Sequence, residues 1–273
     1  LSSGPAATIV AACRRDGDGG SPTAVLDDAP LSDADRRRVP VQAGTSHAVF
    51  VAAGDPVRLR FFTSAGELPA CGHGTLAALA FLAARDGGDL DLTLAAAGRT
   101  FAGRAVRTGA LVTAEFDPGR VTLRDPGAAE LHAVADALGA APGTLTDGAV
   151  VASAGRPRLL VPLTTRAAVA ALAPDLDRLR AACDHHGLLG CYVHSAPDDG
   201  GRVAARMFAP SIGVPEDVAN ANSTACLAAH LGRRVTADLG DALGAPSTVT
   251  AAVRPDGALR VGGTAAVVGT RRL

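Results

Sequence analysis

ELPACGHGTLAALAFLA (residues 67–83) is the stretch on which the reading of the fold turns. A run of small and apolar residues of this length reads as a buried helix. Its entrance carries Cys71 and His73 among glycines, in a chain with only 5 cysteines and 7 histidines. A helix beginning at Gly72-His73-Gly74 presents backbone N–H groups and the positive end of its dipole. Glycines at that point let a carboxylate approach the N–H groups closely. Further along, PEDVANANSTACLAAHL (residues 215–231) repeats the arrangement, with Asp217, Asn220, Asn222 and Ser223 ahead of a second small-residue helix. Two such entrances facing one cleft would bind a small anionic substrate and bracket it with proton-transfer groups. Asp217, Asn222 and Ser223 also suit ordinary helix N-caps, and residue chemistry alone does not separate the two readings.

The 273 residues are enough for one large or two ordinary domains. Hydrophobic residues make up 48% but aromatics only 3%, so the core must be packed from Ala, Val and Leu. A net charge of -1 offers no field for nucleic acid or an acidic membrane. All 26 basic residues are arginine and they are scattered. The odd, unpaired cysteines read as reduced thiols of a cytoplasmic protein. No apolar stretch is long enough to span a bilayer. The start, from Leu1, does not resemble a secretory signal, and the missing Met reads as a trimmed end.

Strands and turns dominate the first third. ATIVAAC (7–13), TAVLDD (23–28), SHAVFVAA (46–53) and VRLRFFTSAG (57–66) read as strands, and SDADRRRV (32–39) as a short polar helix capped by Ser32. After residue 131 the pattern recurs: an amphipathic helix, strands, two helical pieces split at Pro174, the second small-residue helix, and closing strands. Each half thus has strands, one Ala/Leu-rich helix with a polar entrance, and more strands. This favours an α+β fold of two similar lobes over a parallel βαβ sheet. The boundaries are 1–118 around a central helix 72–85, and 119–273 around a central helix 220–233, the last strands being free to return to the first lobe.

Gly72-His73-Gly74-Thr75-Leu76-Ala77 fits a loose dinucleotide fingerprint, but Pro69 stands where a strand should run into the first glycine. Cys71 with His73, and Cys183-Asp184-His185-His186, lack a second pair at structural-zinc spacing and do not supply three converging ligands. The sequence therefore predicts no nucleotide and no metal.

The runs GSPTAVLDDAPLSDADRR (20–37), RFFTSAGELPACGHGTLA (60–77), GRPRLLVPL (155–163) and RMFAPSIGVPEDVANANSTACLAAHL (206–231) resemble, in order and across nearly the whole chain, the phenazine-biosynthesis PhzF-like family. The resemblance implies a diaminopimelate epimerase-like fold: two pseudo-symmetric lobes, each a curled, mostly antiparallel sheet around a central helix, with the site between them. It also implies a cofactor-independent homodimer. The family's acid/base glutamate falls at His47 within Ser46-His47-Ala48-Val49-Phe50-Val51. Its Gly-His motif is kept as Gly72-His73. Its E-D-x-A-T-G-S motif becomes Glu216-Asp217-Val218-Ala219-Asn220-Ala221-Asn222, with Ser223 next.

On this reading the chain is an isomerase that shifts a double bond by proton transfer in a small unsaturated carboxylate. His47 shuttles the proton, and His73 and Asp217 orient His47 or the substrate. Cys71, Gly72, Gly74, Asn220, Asn222 and Ser223 line the substrate. One branch of the family, acting toward 4-alkylproline units of lincosamide and pyrrolobenzodiazepine antibiotics, would supply a pyrroline carboxylate. The alternatives are an amino-acid racemase of the same fold, for which the second lobe lacks a cysteine at its helix entrance, and a binding relative without proton chemistry.

Overall fold

Residues 6–273 are described in this computed structural model; the first five residues of the start discussed above lie outside them. The chain divides into two units: one runs to Pro118 and takes in Val261–Leu273, and the other is Gly119–Arg260. No helix among the described residues is long and apolar enough to cross a membrane.

The first unit contains β1 (Ala6–Arg14), β2 (Ser21–Asp27), α1 (Asp33–Ala43), β3 (His47–Ala52), β4 (Val57–Phe62), β5 (Glu67–Leu68), α2 (Gly72–Asp86), β6 (Leu90–Ala96), β7 (Arg99–Thr108) and β8 (Leu111–Phe116). The second contains β9 (Thr122–Arg124), α3 (Ala128–Leu138), β10 (Val150–Ala154), β11 (Arg156–Leu163), α4 (Arg166–Ala170), α5 (Leu176–His186), β12 (Cys191–Ser195), β13 (Arg202–Ala209), β14 (Val214–Asp217), α6 (Ala221–Leu231), β15 (Val235–Leu239) and β16 (Ser247–Val253). The last strand, β17 (Leu259–Arg272), leads back into the first unit.

In the first unit β1 pairs antiparallel with β2, β2 parallel with β3, β3 antiparallel with β4, and β4 parallel with β6. From there β6, β7 and β8 run antiparallel, β8 pairs with β17, and β17 returns to β1. The circuit is closed, so these strands leave no free edge between them. Helix α2 packs against β1, β2, β3, β4, β7 and β8. That environment explains its composition. A helix walled in on every side has no polar face, and Ala77, Ala78, Ala80 and Ala83 are fully buried on it. Leu76 and Leu79 are also fully buried, each contributing about 2–3 kcal/mol relative to exposure. Strand β7 comes so close that a Cβ on Gly103 would stand 2.7 Å from Leu94 and 3.1 Å from Leu79.

The second unit repeats the order of pairings. β10 and β11 are antiparallel, β11 and β12 parallel, β12 and β13 antiparallel, β13 and β15 parallel, and β15 and β16 antiparallel. Helix α6 occupies the place in this order that α2 holds in the first unit, packing on β10, β11, β15 and β16. Here a further apolar layer forms, in which Val134 and Leu138 of α3 and Leu179 of α5 pack with Leu159, Val161 and Phe208 of the sheet.

Some local signals hold and others do not: the strand expected over 57–66 ends at Phe62, where Thr63 and Gly66 close a turn, and the helix expected over 220–233 is Ala221–Leu231. Ser32 caps α1 through the Asp35 N–H, and α4 and α5 are separated across Pro174. Helix α1, however, continues past the expected stop at residue 39, through Pro40, to Ala43. Proline at that point loses its own backbone bond and crowds the carbonyl four residues back, a cost the surrounding packing has to offset. Burial of Val39 and Ala43 against Ala24, Ala48 and Phe50, and a left-handed Gly44 at φ 70°, sustain the extra turn.

Candidate active site

The first helix entrance is built from three segments. The start of β3 supplies His47, the residue before α2 supplies Cys71, and the first turn of α2 supplies Gly72, His73 and Gly74. His47 lies opposite Thr23 in the parallel β2–β3 pairing, which fixes its position at the end of that strand. His47 and His73 are 3% and 2% exposed. Their rings meet edge to face with centroids 4.3 Å apart at 83°. Cys71 Sγ lies 3.5 Å from His73 Nε2. Among the described residues, His47, Cys71 and His73 alone form a cluster of three potential ligand groups, their relevant atoms all within 4.8 Å of one another.

Sequence reasoning missed Ser46 as part of this group, although it is the immediate neighbour of His47. Its Oγ lies 2.8 Å from His47 Nδ1, and Thr45 Oγ1 donates to the His47 carbonyl at 2.9 Å. The imidazole is thus held from one side, leaving Nε2 for other work. Burial, and then the neighbouring His73, push the His47 pKa well below the ordinary histidine value, so its neutral form is favoured.

No side chain caps α2: Cys71 occupies the N-cap position without a cap hydrogen bond. Gly72 is buried in the first turn. Gly74 is required by packing, since a Cβ there would lie 2.9 Å from Cys71 Sγ and 3.1 Å from both Phe61 and Val49. Thr75 closes the turn, its N–H and hydroxyl both donating to the Cys71 carbonyl at 2.9 Å.

The second entrance groups Asp217 at the end of β14 with Asn220, Asn222 and Ser223 at the start of α6. Asn220 is the N-cap: its Oδ1 accepts the Ser223 N–H at 2.9 Å, and its Nδ2 donates to Asp217 Oδ2 at 3.0 Å. Asn222 is half-buried. The Ser223 side chain is fully buried; its hydroxyl accepts from Arg158 Nη1 at 3.4 Å and points to Met207 Sδ at 3.5 Å. Glu216, by contrast, is engaged by Arg206 through two bonds of 2.9 and 2.7 Å. Arg158 is the unexpected residue here. It is 2% exposed, and its Nη2 donates to the Arg156 carbonyl at 2.7 Å. Burial lowers its pKa. Strand alternation is the signal that could have placed it inward.

The chain matches the phenazine biosynthesis-like protein family over residues 11–271. It is 30% identical to an uncharacterized isomerase of Deinococcus radiodurans, over 92% of this chain and 88% of that protein. Among solved structures, a predicted epimerase from Pseudomonas aeruginosa superposes with a TM-score of 0.85 at 29% identity, over 98% of this chain and 99% of the other. A PhzF-family phenazine biosynthesis protein of Bacillus anthracis gives 0.83 at 17% identity over 98% of both chains, a likeness of fold.

Proposed function

We propose, from the premise that this chain belongs to the phenazine biosynthesis-like family, that it is an isomerase moving a proton along a small unsaturated carboxylate with His47 as the carrier. The observation that carries the reading is the buried contact of His47 and His73 at the uncapped start of α2. The substrate carboxylate lies toward the helix start, where the dipole favours an anion. With Nδ1–H on Ser46, the Nε2 lone pair of His47 removes a proton from a carbon next to the double bond. The π electrons shift by one position, and the same proton, or one exchanged with solvent, is returned to the far carbon. No electron is gained or lost.

Burial makes this site a poor host for an imidazolium. A bound carboxylate offsets that penalty, so basicity rises when substrate is present. The substrate class we assign is a cyclic, pyrroline-type carboxylate of secondary metabolism, in keeping with the 4-alkylproline branch. A two-thiol racemase is the weaker reading: the nearest cysteine of α6, Cys226, is fully buried and its thiol pKa is raised by burial.

The test is NMR in heavy water with a panel of unsaturated cyclic carboxylates, comparing wild type with His47→Ala. Deuterium should enter a product with a shifted double bond, and the variant should be slower by about 10²–10⁴-fold. Undiminished turnover in the variant would remove His47 from the mechanism.

A further inference from the structure

We propose that His47, Cys71 and His73 form a three-ligand site for a zinc-class divalent metal ion. In sequence, Cys71 and His73 looked like an incomplete pair; folding brings the third group, 24 residues upstream of the cysteine, into the same cluster. Ligand atoms at about 2.3 Å (thiolate) and 2.0 Å (imidazole) from a tetrahedral ion stand roughly 3.5 Å apart. Cys71 Sγ and His73 Nε2 are already 3.5 Å apart. All three potential ligand atoms lie within 4.8 Å of one another.

The donor chemistry selects the ion. Two imidazoles and a thiolate suit zinc or cobalt, and the absence of any carboxylate from the trio disfavours magnesium and calcium. Ser46 on His47 Nδ1 is the kind of outer hydrogen bond that orients a metal-binding imidazole. Three protein ligands leave a fourth position open to water or to a substrate carboxylate. The other histidine–cysteine run offers no such set: His185 and His186 sit at the exposed end of α5, whereas Cys183 is buried in the apolar layer with Leu179 and Phe208. On binding, the Cys71 S–H bond breaks, a metal–sulfur bond forms, and one proton leaves to solvent, with no change of oxidation state. One consequence rests on the isomerase reading: a metal on His47 takes the lone pair that the proton shift needs, so zinc inhibits.

The experiment is a titration of the chelator-stripped full-length chain with cobalt(II), read by absorption. A thiolate-to-cobalt charge-transfer band should appear with one ion per chain. The band should persist in a His185→Ala/His186→Ala double variant and vanish in Cys71→Ser. His47→Gln, which keeps the thiolate, should weaken zinc competition by more than about tenfold, and Ser46→Ala by about 10–100-fold. Circular dichroism of each variant guards against loss of fold. Failure to bind cobalt, or a band that survives Cys71→Ser, overturns the site. Deuterium exchange by the stripped protein, abolished by zinc and restored by chelator, supports the inhibitory role. Exchange that needs zinc overturns that role. Cobalt bound at the trio with no exchange under any condition overturns the isomerase reading and leaves the metal site standing.

Discussion

The two helix entrances have the same place in the order of pairings and opposite chemistry. At α6 the first turn is tied down by side chains: Asn220 caps the helix and is itself held by Asp217, while the Ser223 hydroxyl meets a buried guanidinium. At α2 no side chain caps the helix, and the space is taken by two buried imidazoles and a thiol. One entrance uses its polar groups to order the helix start; the other gathers His47, Cys71 and His73 beside an uncapped one, the group for which proton transfer is proposed. A repeated backbone therefore does not oblige the two halves to repeat a function, because the site resides in a few side chains at one end of each helix.

The largest expected effect that would break this contrast is at His47. His47→Ala should lower turnover by about 10²–10⁴-fold, about 3–5 kcal/mol of transition-state stabilisation. Asp217 is the sharper question, because it belongs to the ordered entrance and yet carries a carboxylate. Asp217→Asn keeps an acceptor for Asn220 and removes the charge. A fall in kcat on the order of 10²-fold with little change in melting temperature would assign Asp217 to the reaction, and unchanged kcat would reduce it to a brace for the cap.

Next in size is a packing effect at the first entrance. Gly74→Ala places a methyl against Cys71, Val49 and Phe61, and should cost about 1–3 kcal/mol in denaturant unfolding. An unaffected midpoint would mean that the first turn of α2 has room to spare. The smallest effect lies in the second unit. His194, 4% exposed on β12, has its pKa lowered chiefly by burial and also by His230, against a raising contribution from the Ser195 carbonyl. The folded state thus holds His194 neutral while the unfolded chain protonates near the ordinary value of about 6.5. Stability from this group is present above that value and is lost as pH falls through the depressed folded pKa. His194→Gln should flatten the acid limb of the unfolding curve relative to wild type; an identical slope would show that His194 does not contribute to it.

Much of the architecture was legible from residues 67–83 alone, because a helix with no polar face has to be surrounded. The split at Pro174 and the cap at Ser32 were also local, and local chemistry announces itself. The parallel pairing of β2 with β3, which sets His47 opposite Thr23, was not, and neither was the packing of α2 on β3 that accompanies the His47–His73 contact. Periodicity shows which side of a strand is buried and not which strand lies next to it. The family resemblance pointed to His47 by position, whereas its contact with His73, and the trio that includes Cys71, are properties of the folded chain. Arg158 was not singled out from the sequence: the usual cost of burying a cation argues against an inward position, and only the fold shows it buried beside Ser223. In α1, tertiary burial of Val39 and Ala43 outweighed the local signal of Pro40.

The closure of the first unit by β17 has a temporal side. Strands β1 and β8 acquire their common neighbour only when residues 261–272 have been made. Until then the emerging polypeptide lacks the strand that joins β1 to β8, although the contiguous stretch Gly119–Arg260 has already been synthesised. Vectorial synthesis favours folding from the N-terminal end; this connectivity reverses the order, so that the unit begun first is the one completed last.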